Sequence, residues 1–97
     1  MLFAIFCTDR PGALETRMSN RPTHLAWLES NVANLVSAGA VLDPQGKPCG
    51  SLLVIEAADR AAAEAFAAAD PYAHAGLFES TVIRPHRLVF KDGARVT

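Results

Sequence analysis

The chain has 97 residues, 51% of them hydrophobic, with nine Lys and Arg against ten Asp and Glu for a formal net charge of −1. That length holds one domain with a modest core, and so much apolar surface in so short a chain points to a second copy that buries the excess. Mixed, nearly balanced charge and the lack of an aromatic-and-basic stripe argue against nucleic acid or an anionic membrane surface as partners.

Residues 2–8, "LFAIFCT", read as a strand apolar on both faces, hence central in a sheet and covered on both sides. This apolar run is too short for a signal peptide or a membrane span and has no basic segment before it, so a cytoplasmic protein is expected. Pro11 and Gly12 break the strand, and residues 14–18 read as one short helical turn. The strongest helix signal is "SNRPTHLAWLESNVANLVSAG", residues 19–39. Pro22 suits its first turn, Gly39 its end, and Leu25, Leu28, Val32, Leu35 and Val36 recur along one face. Residues 40–42 form a short strand, 43–50 a loop and 51–57 the next strand.

Asp59 can cap a second, alanine-rich helix over residues 60–69, with Ala62, Ala65, Phe66 and Ala69 toward the core. Residues 79–83 and 87–90 give a last strand, and the intervening Pro85 points to a sheet edge. The polar stretch 91–97 reads as a loose tail of a single domain spanning 1–97. The order β-α-β-β-α-β with right-handed crossovers predicts a ferredoxin-like α+β fold with a four-stranded antiparallel sheet. Strands one and three are central, and two helices cover one face. A second copy packed sheet to sheet would cover the other, giving a dimeric α+β barrel.

Cys7 and Cys49 form no CxxC pair, and both read as reduced thiols without a role. No Ser-His-Asp order, phosphate loop or dinucleotide glycine pattern is present. His24 falls in the first turn of the long helix, on the edge of its apolar face beside Trp27 and Asn31. The helix dipole there disfavours imidazolium, so a charged or oriented ring needs a carboxylate. Asp70 ends the alanine helix, where the same dipole repels an acid, and Pro71 follows. It is either a turn residue or the partner of His24. His74 and His86 read as exposed, and a metal site of His24, Asp70 and His74 lacks diagnostic spacing. Arg21 suits a bidentate grip on an anionic group, against the plainer reading of a surface arginine paired with Glu15 or water. With the helix starting near residues 19–22, His24 and Asp70 lie at opposite ends of the domain. They then meet only if the helix is displaced, if the loop after Asp70 turns back, or across a dimer.

The stretches "RPTHLAWL", "DPYAHAGLFES" and "TVIRPH" resemble the YciI-like proteins, whose pattern is R-P-x-H-L in the first helix and D-P-[FY]-x-x-A-G-[LV]-[FY]-E after the second. The resemblance runs from "LFAIFCTDRPGALETR" to "RLVF". It implies a dimeric ferredoxin-like α+β fold and an active-site His–Asp pair at His24 and Asp70. Arg21 matches the motif arginine, Arg17 an upstream one, and Tyr72 and Gly76 the loop pattern, whereas His74 falls at a variable position. The family is similar to muconolactone isomerases, and one branch dehydrochlorinates a chlorinated hydroxyhydroquinone. The resemblance therefore implies a cofactor-free, metal-free enzyme of isomerase or lyase/dehydrohalogenase type, acting on a small cyclic or aromatic-derived metabolite. His24 and Asp70 would be catalytic, and Arg17, Arg21, Tyr72 and Gly76 substrate-binding. The alternative is a non-catalytic small-molecule-binding or accessory dimer. One departure is "LDPQGKPCG", a short Asp-Pro loop where many relatives carry a longer loop with Gly-Pro.

Overall fold

Four strands, β1 (Leu2–Asp9), β2 (Leu35–Leu42), β3 (Pro48–Glu56) and β4 (Phe78–His86), form one sheet in the order β2-β3-β1-β4. The computed structural model describes residues 1–97. Every neighbouring pair is antiparallel, with β1 pairing Ile5 with Leu53 of β3 and with Ile83 of β4. Helices α1 (Leu14–Ser30), α2 (Arg60–Ala68) and α3 (Pro71–His74) complete the ferredoxin-like α+β fold. Phe3, Ile5, Cys7, Leu53, Ile55 and Ala63 make the buried core, with Trp27, Leu28 and Phe66 packed against it. Each large apolar side chain there contributes about 1.5–3 kcal/mol on burial.

α1 departs from the sequence expectation at both ends. It begins at Leu14, just after Gly12 turns the chain with φ +71°, so Pro22 lies mid-helix. Pro22 and Met18, four residues earlier, are both on the exposed side, where the carbonyl freed by the missing N–H can be solvated. The helix stops at Ser30, where Asn31 leaves helical geometry (φ −118°) and its N–H bonds the Leu28 carbonyl in a tighter turn. Ser30 Oγ and Asn31 Nδ2 both donate to the Trp27 carbonyl at 2.8 Å. A single 3-10 turn, Val32–Asn34, then leads into β2 at Leu35. Val32, Leu35 and Val36 therefore belong to a turn and a strand, and Gly39 lies inside β2. Their helical spacing is coincidental, a short apolar run being ambiguous between helix and strand.

Asp59 caps α2 by accepting from the Ala62 N–H at 2.8 Å, as expected. The face of α2 turned inward is Ala63, Phe66 and Ala67, so of the expected Ala62, Ala65, Phe66 and Ala69 only Phe66 packs against the core and the three alanines are exposed. β4 runs unbroken through Pro85, which pairs with Phe3 on a strand whose other side is free. An edge strand accommodates a missing N–H without losing a ladder bond. The stretch expected to be loose forms a hairpin, β5 (Phe90–Lys91) with β6 (Ala94–Arg95). Its turn places Asp92 at φ 52° and Gly93 at φ 78°, the left-handed pair that tight hairpins require.

Phe6, Leu52 and Val82 lie side by side on the sheet face opposite the helices, 46%, 38% and 44% exposed. β1 is thus apolar on both faces, as its sequence suggests, and only one face is covered within the chain. No helix is long and apolar enough to cross a membrane.

Candidate active site

The early start of α1 decides where the chemistry sits. His24 is in the second half of the helix rather than its first turn, so it faces the end of α2 instead of the far end of the domain. The only buried residues of α1 are Arg17 and His24, seven positions and two turns apart on one stripe. Arg21 and Leu28 continue the stripe. A polar stripe aimed inward needs partners, and the fold supplies them from α3 and from the core side of β1 and β3.

Asp70 is the N-cap of α3, not the last residue of α2. Its Oδ1 accepts from the Tyr72 N–H at 2.9 Å, with Pro71 at the first helical position. The dipole conflict read from the sequence is offset, because the carboxylate caps the N-terminus of α3 as well as following the end of α2. The same oxygen meets His24 Nδ1 at 2.8 Å within one chain, with side-chain exposures of 9% for His24 and 3% for Asp70. A carboxylate only accepts, so Nδ1 carries the proton and Nε2 is left for a ligand. The Tyr72 ring stacks on the imidazole at 3.9 Å between centroids and 14° between planes. Ring orientation is therefore held by a hydrogen bond in its plane and by a stack on its face.

Arg17 is held as firmly. Its Nε and Nη2 donate to Asp9 Oδ2 and Oδ1 at 2.7 and 2.9 Å, and Nη2 also donates to Ser51 Oγ at 2.8 Å. Its guanidinium carbon lies 4.6 Å from the centre of the Tyr72 ring. Burial opposes the charge on Arg17, but the hydrogen bonds and charge of Asp9 outweigh it, so its pKa is raised. Burial likewise raises the pKa of Tyr72, against the charges of Arg17 and Arg21. Neither Asp9 nor Ser51 was singled out from the sequence, though strand alternation carries the signal. Asp9 follows Phe3, Ile5 and Cys7 on one face, and Ser51 precedes Leu53 and Ile55. A carboxylate at a core-facing position demands a cation.

These groups border a cavity of about 190 Å³ between α1 and strands β2 and β3, lined by Arg17, Arg21, His24, Ser51, Leu53 and Tyr72 among others. Arg21 is exposed at its edge and makes no ion pair within the chain, whereas the predicted alternative partner, Glu15, pairs with neither arginine. Gly76 is not among the lining residues. It ends α3 at φ +71°, and its carbonyl accepts from Arg10 Nε at 2.9 Å. His74 is exposed at the end of α3 and His86 at the end of β4. Cys7 is buried beneath the sheet and Cys49 half-buried, both free thiols. A larger groove of about 650 Å³, between Met1, Leu2, Pro85, Leu88 and Val96, lies apart from this cluster.

Residues 1–87 match the YCII-related domain. The chain belongs to the YCII-related family. Protein YciI of Escherichia coli O6:H1 is 37% identical over 98 residues, covering 93% of this chain and 100% of that one. An uncharacterized protein of Haemophilus influenzae is 34% identical over 98 residues, with the same coverage of 93% and 100%. Among solved structures, 5-chloro-2-hydroxyhydroquinone dehydrochlorinase of Burkholderia phenoliruptrix AC1100, in complex with 2,5-dihydroxybenzoquinone, aligns at TM-score 0.83 and 35% identity over 90% of this chain and 94% of its own. A protein of Bacteroides thetaiotaomicron VPI-5482 aligns at TM-score 0.60 and 15% identity over 100% and 95%, a likeness of fold alone.

Proposed function

We propose that this YCII-related protein is a small acid–base enzyme acting on a single-ring, oxygenated, aromatic-derived metabolite. The observation that carries the reading is the buried His24–Asp70 bond at the wall of a cavity. Asp70 fixes the tautomer, and His24 Nε2 takes or returns a proton. The volume fits the substrate size, since a cavity of about 150 Å³ takes one benzene ring. Arg21, exposed and without a carboxylate partner, holds an anionic oxygen. Tyr72 backs the ring of His24, Arg17 backs the ring of Tyr72, and Gly76 shapes the turn that follows Asp70. Loss of a proton to His24 and departure of an anionic leaving group, or return of the proton at another carbon, conserves atoms and electrons without an oxidant. The family relative that dehydrochlorinates a hydroxyhydroquinone supports this reaction class.

We also propose that the functional unit is a homodimer, with a second copy on the sheet face that carries Phe6, Leu52 and Val82. A binding module without turnover is a second reading. It is favoured by one observation: Asp70 caps α3 and so has a structural use of its own. The deciding experiment incubates the protein with 5-chloro-2-hydroxyhydroquinone and follows chloride release and product mass. Turnover by the native protein that collapses in His24→Gln is expected. Binding of the compound with no product beyond the uncatalysed rate supports the module, and full turnover by His24→Gln rules out the acid–base role.

A further inference from the structure

Ser51 is a buried hydroxyl whose single hydrogen-bond donor is unused within the chain. It is 3% exposed on β3, opposite Cys7 of β1 and Ala40 of β2. Its oxygen accepts from Arg17 Nη2 at 2.8 Å. That bond cannot be reversed, because a guanidinium has no acceptor. Both Nη2 hydrogens are spoken for, one by Asp9 and one by Ser51, so the direction of the bond is set from outside Ser51. No acceptor within the chain takes the Ser51 hydroxyl hydrogen. Ser51 lines the same cavity as His24, and most of the other walls there are apolar: Leu25, Leu28, Ala38, Ala40 and Leu53.

We propose that the Ser51 hydroxyl donates a hydrogen bond to a carbonyl or phenolate oxygen of the substrate. The inference rests on the acid–base reading of His24 and adds the second contact point of the ligand. His24 Nε2 meets the proton that leaves, and Ser51 meets the oxygen on which negative charge grows as it leaves. The bond from the Arg17 cation withdraws electron density from the Ser51 oxygen and makes its hydrogen a better donor. A fixed donor aimed at developing charge is the arrangement that lowers such a barrier. The substrate class is thereby narrowed to rings that carry an oxygen acceptor and a removable proton at separate positions. A hydrocarbon ring, or one with a single polar group, would leave Ser51 or His24 unmatched.

The test uses 2,5-dihydroxybenzoquinone as the probe, titrated by calorimetry into the native protein, Ser51→Ala, Ser51→Thr and His24→Gln, with circular dichroism to check folding. Ser51→Ala should weaken binding by about 10-fold or more, the loss expected for one hydrogen bond to a charged or strongly polarised acceptor. Ser51→Thr, which keeps the hydroxyl, should stay within about 3-fold of native. A second measurement needs no variant. Infrared difference spectra of the bound quinone in the native protein should show a carbonyl stretch shifted to lower frequency than in water-free apolar solvent. Equal affinity of native and Ser51→Ala proteins, or an unshifted carbonyl, overturns the Ser51 assignment and leaves the His24 reading standing. No binding to the native protein overturns both. Native binding with turnover retained in His24→Gln removes the acid–base reading while Ser51 is judged on its own two measurements.

Discussion

His24 and Asp70 are separated by 46 residues in sequence and by 2.8 Å between Nδ1 and Oδ1. One carboxylate oxygen serves both this bond and the first N–H of α3. Replacement of Asp70 by Asn keeps an acceptor but removes the charge. Expected consequences are a loss of about 1–2 kcal/mol in urea unfolding and a fall in turnover of about 10²–10⁴-fold with KM little changed. Asp70→Ala leaves two buried donors without a partner and should lose about 2–5 kcal/mol. An Asp70→Ala protein with the native unfolding midpoint would show that the contact does not hold the fold.

Gly50 and Gly39 face each other's strands but differ in the space around them. A Cβ on Gly50 would stand 2.5 Å from the Cys7 carbonyl oxygen, whereas a Cβ on Gly39 meets nothing within 4 Å. Gly50→Ala must push β3 away from β1 and should destabilise by about 1–3 kcal/mol. Gly39→Ala should leave the unfolding free energy within about 0.5 kcal/mol of native. Chemical denaturation of the two variants, side by side, checks the contrast.

Cys7 links stability to alkaline pH. Burial raises its pKa from 9.0 to about 11, with the Thr81 hydroxyl and Arg17 opposing and Asp70 and Asp9 adding to the rise. The unfolded chain ionises this thiol first, so it binds fewer protons than the folded one as pH rises. The contribution is complete below pH 9.0 and is lost as pH climbs through about 11. Tyr72, its pKa also raised by burial, adds a loss of the same sign that begins as pH rises through 10.0. The unfolding midpoint should therefore fall across this window, and the slope should be shallower in Cys7→Ala. Equal slopes in the two proteins would rule out Cys7 as the source.

The apolar patch on the open sheet face makes its own prediction. Phe6, Leu52 and Val82 are neighbours across three strands, and Val41 extends the patch at 45% exposure. Phe6→Lys puts a charge at its centre, where a second copy would have to desolvate it. Light scattering should report a dimer for the native chain and a monomer for the variant. A native chain that is monomeric at working concentrations would remove the dimer proposal.

The central place of β1, the edge position of β4 and the Asp59 cap were legible along the chain because each depends on signals a few residues long. The continuous apolar run of residues 2–8, a proline in the last strand and an Asp before an alanine run need no knowledge of distant contacts. The motifs around His24 and Asp70 also marked the two side chains that meet. The bounds of α1 were not legible. Pro22 reads as a helix start by its local preference, and it is tolerated mid-helix because it faces outward. Val32, Leu35 and Val36 keep helical spacing although the chain has already left the helix at Asn31.

That difference in one helix changed the site. A helix beginning at Leu14 rather than near Pro22 carries His24 toward the end of α2, and α3 turns Asp70 back to it. The same shift brings Arg17 over Asp9 and Ser51, residues whose core-facing parity is local but whose partner is not. Composition and periodicity name the residue types that want burial or a counter-charge. Which of them share a cavity depends on helix register and on chain reversals between elements, and these are settled by packing of the whole domain rather than by any short stretch of sequence.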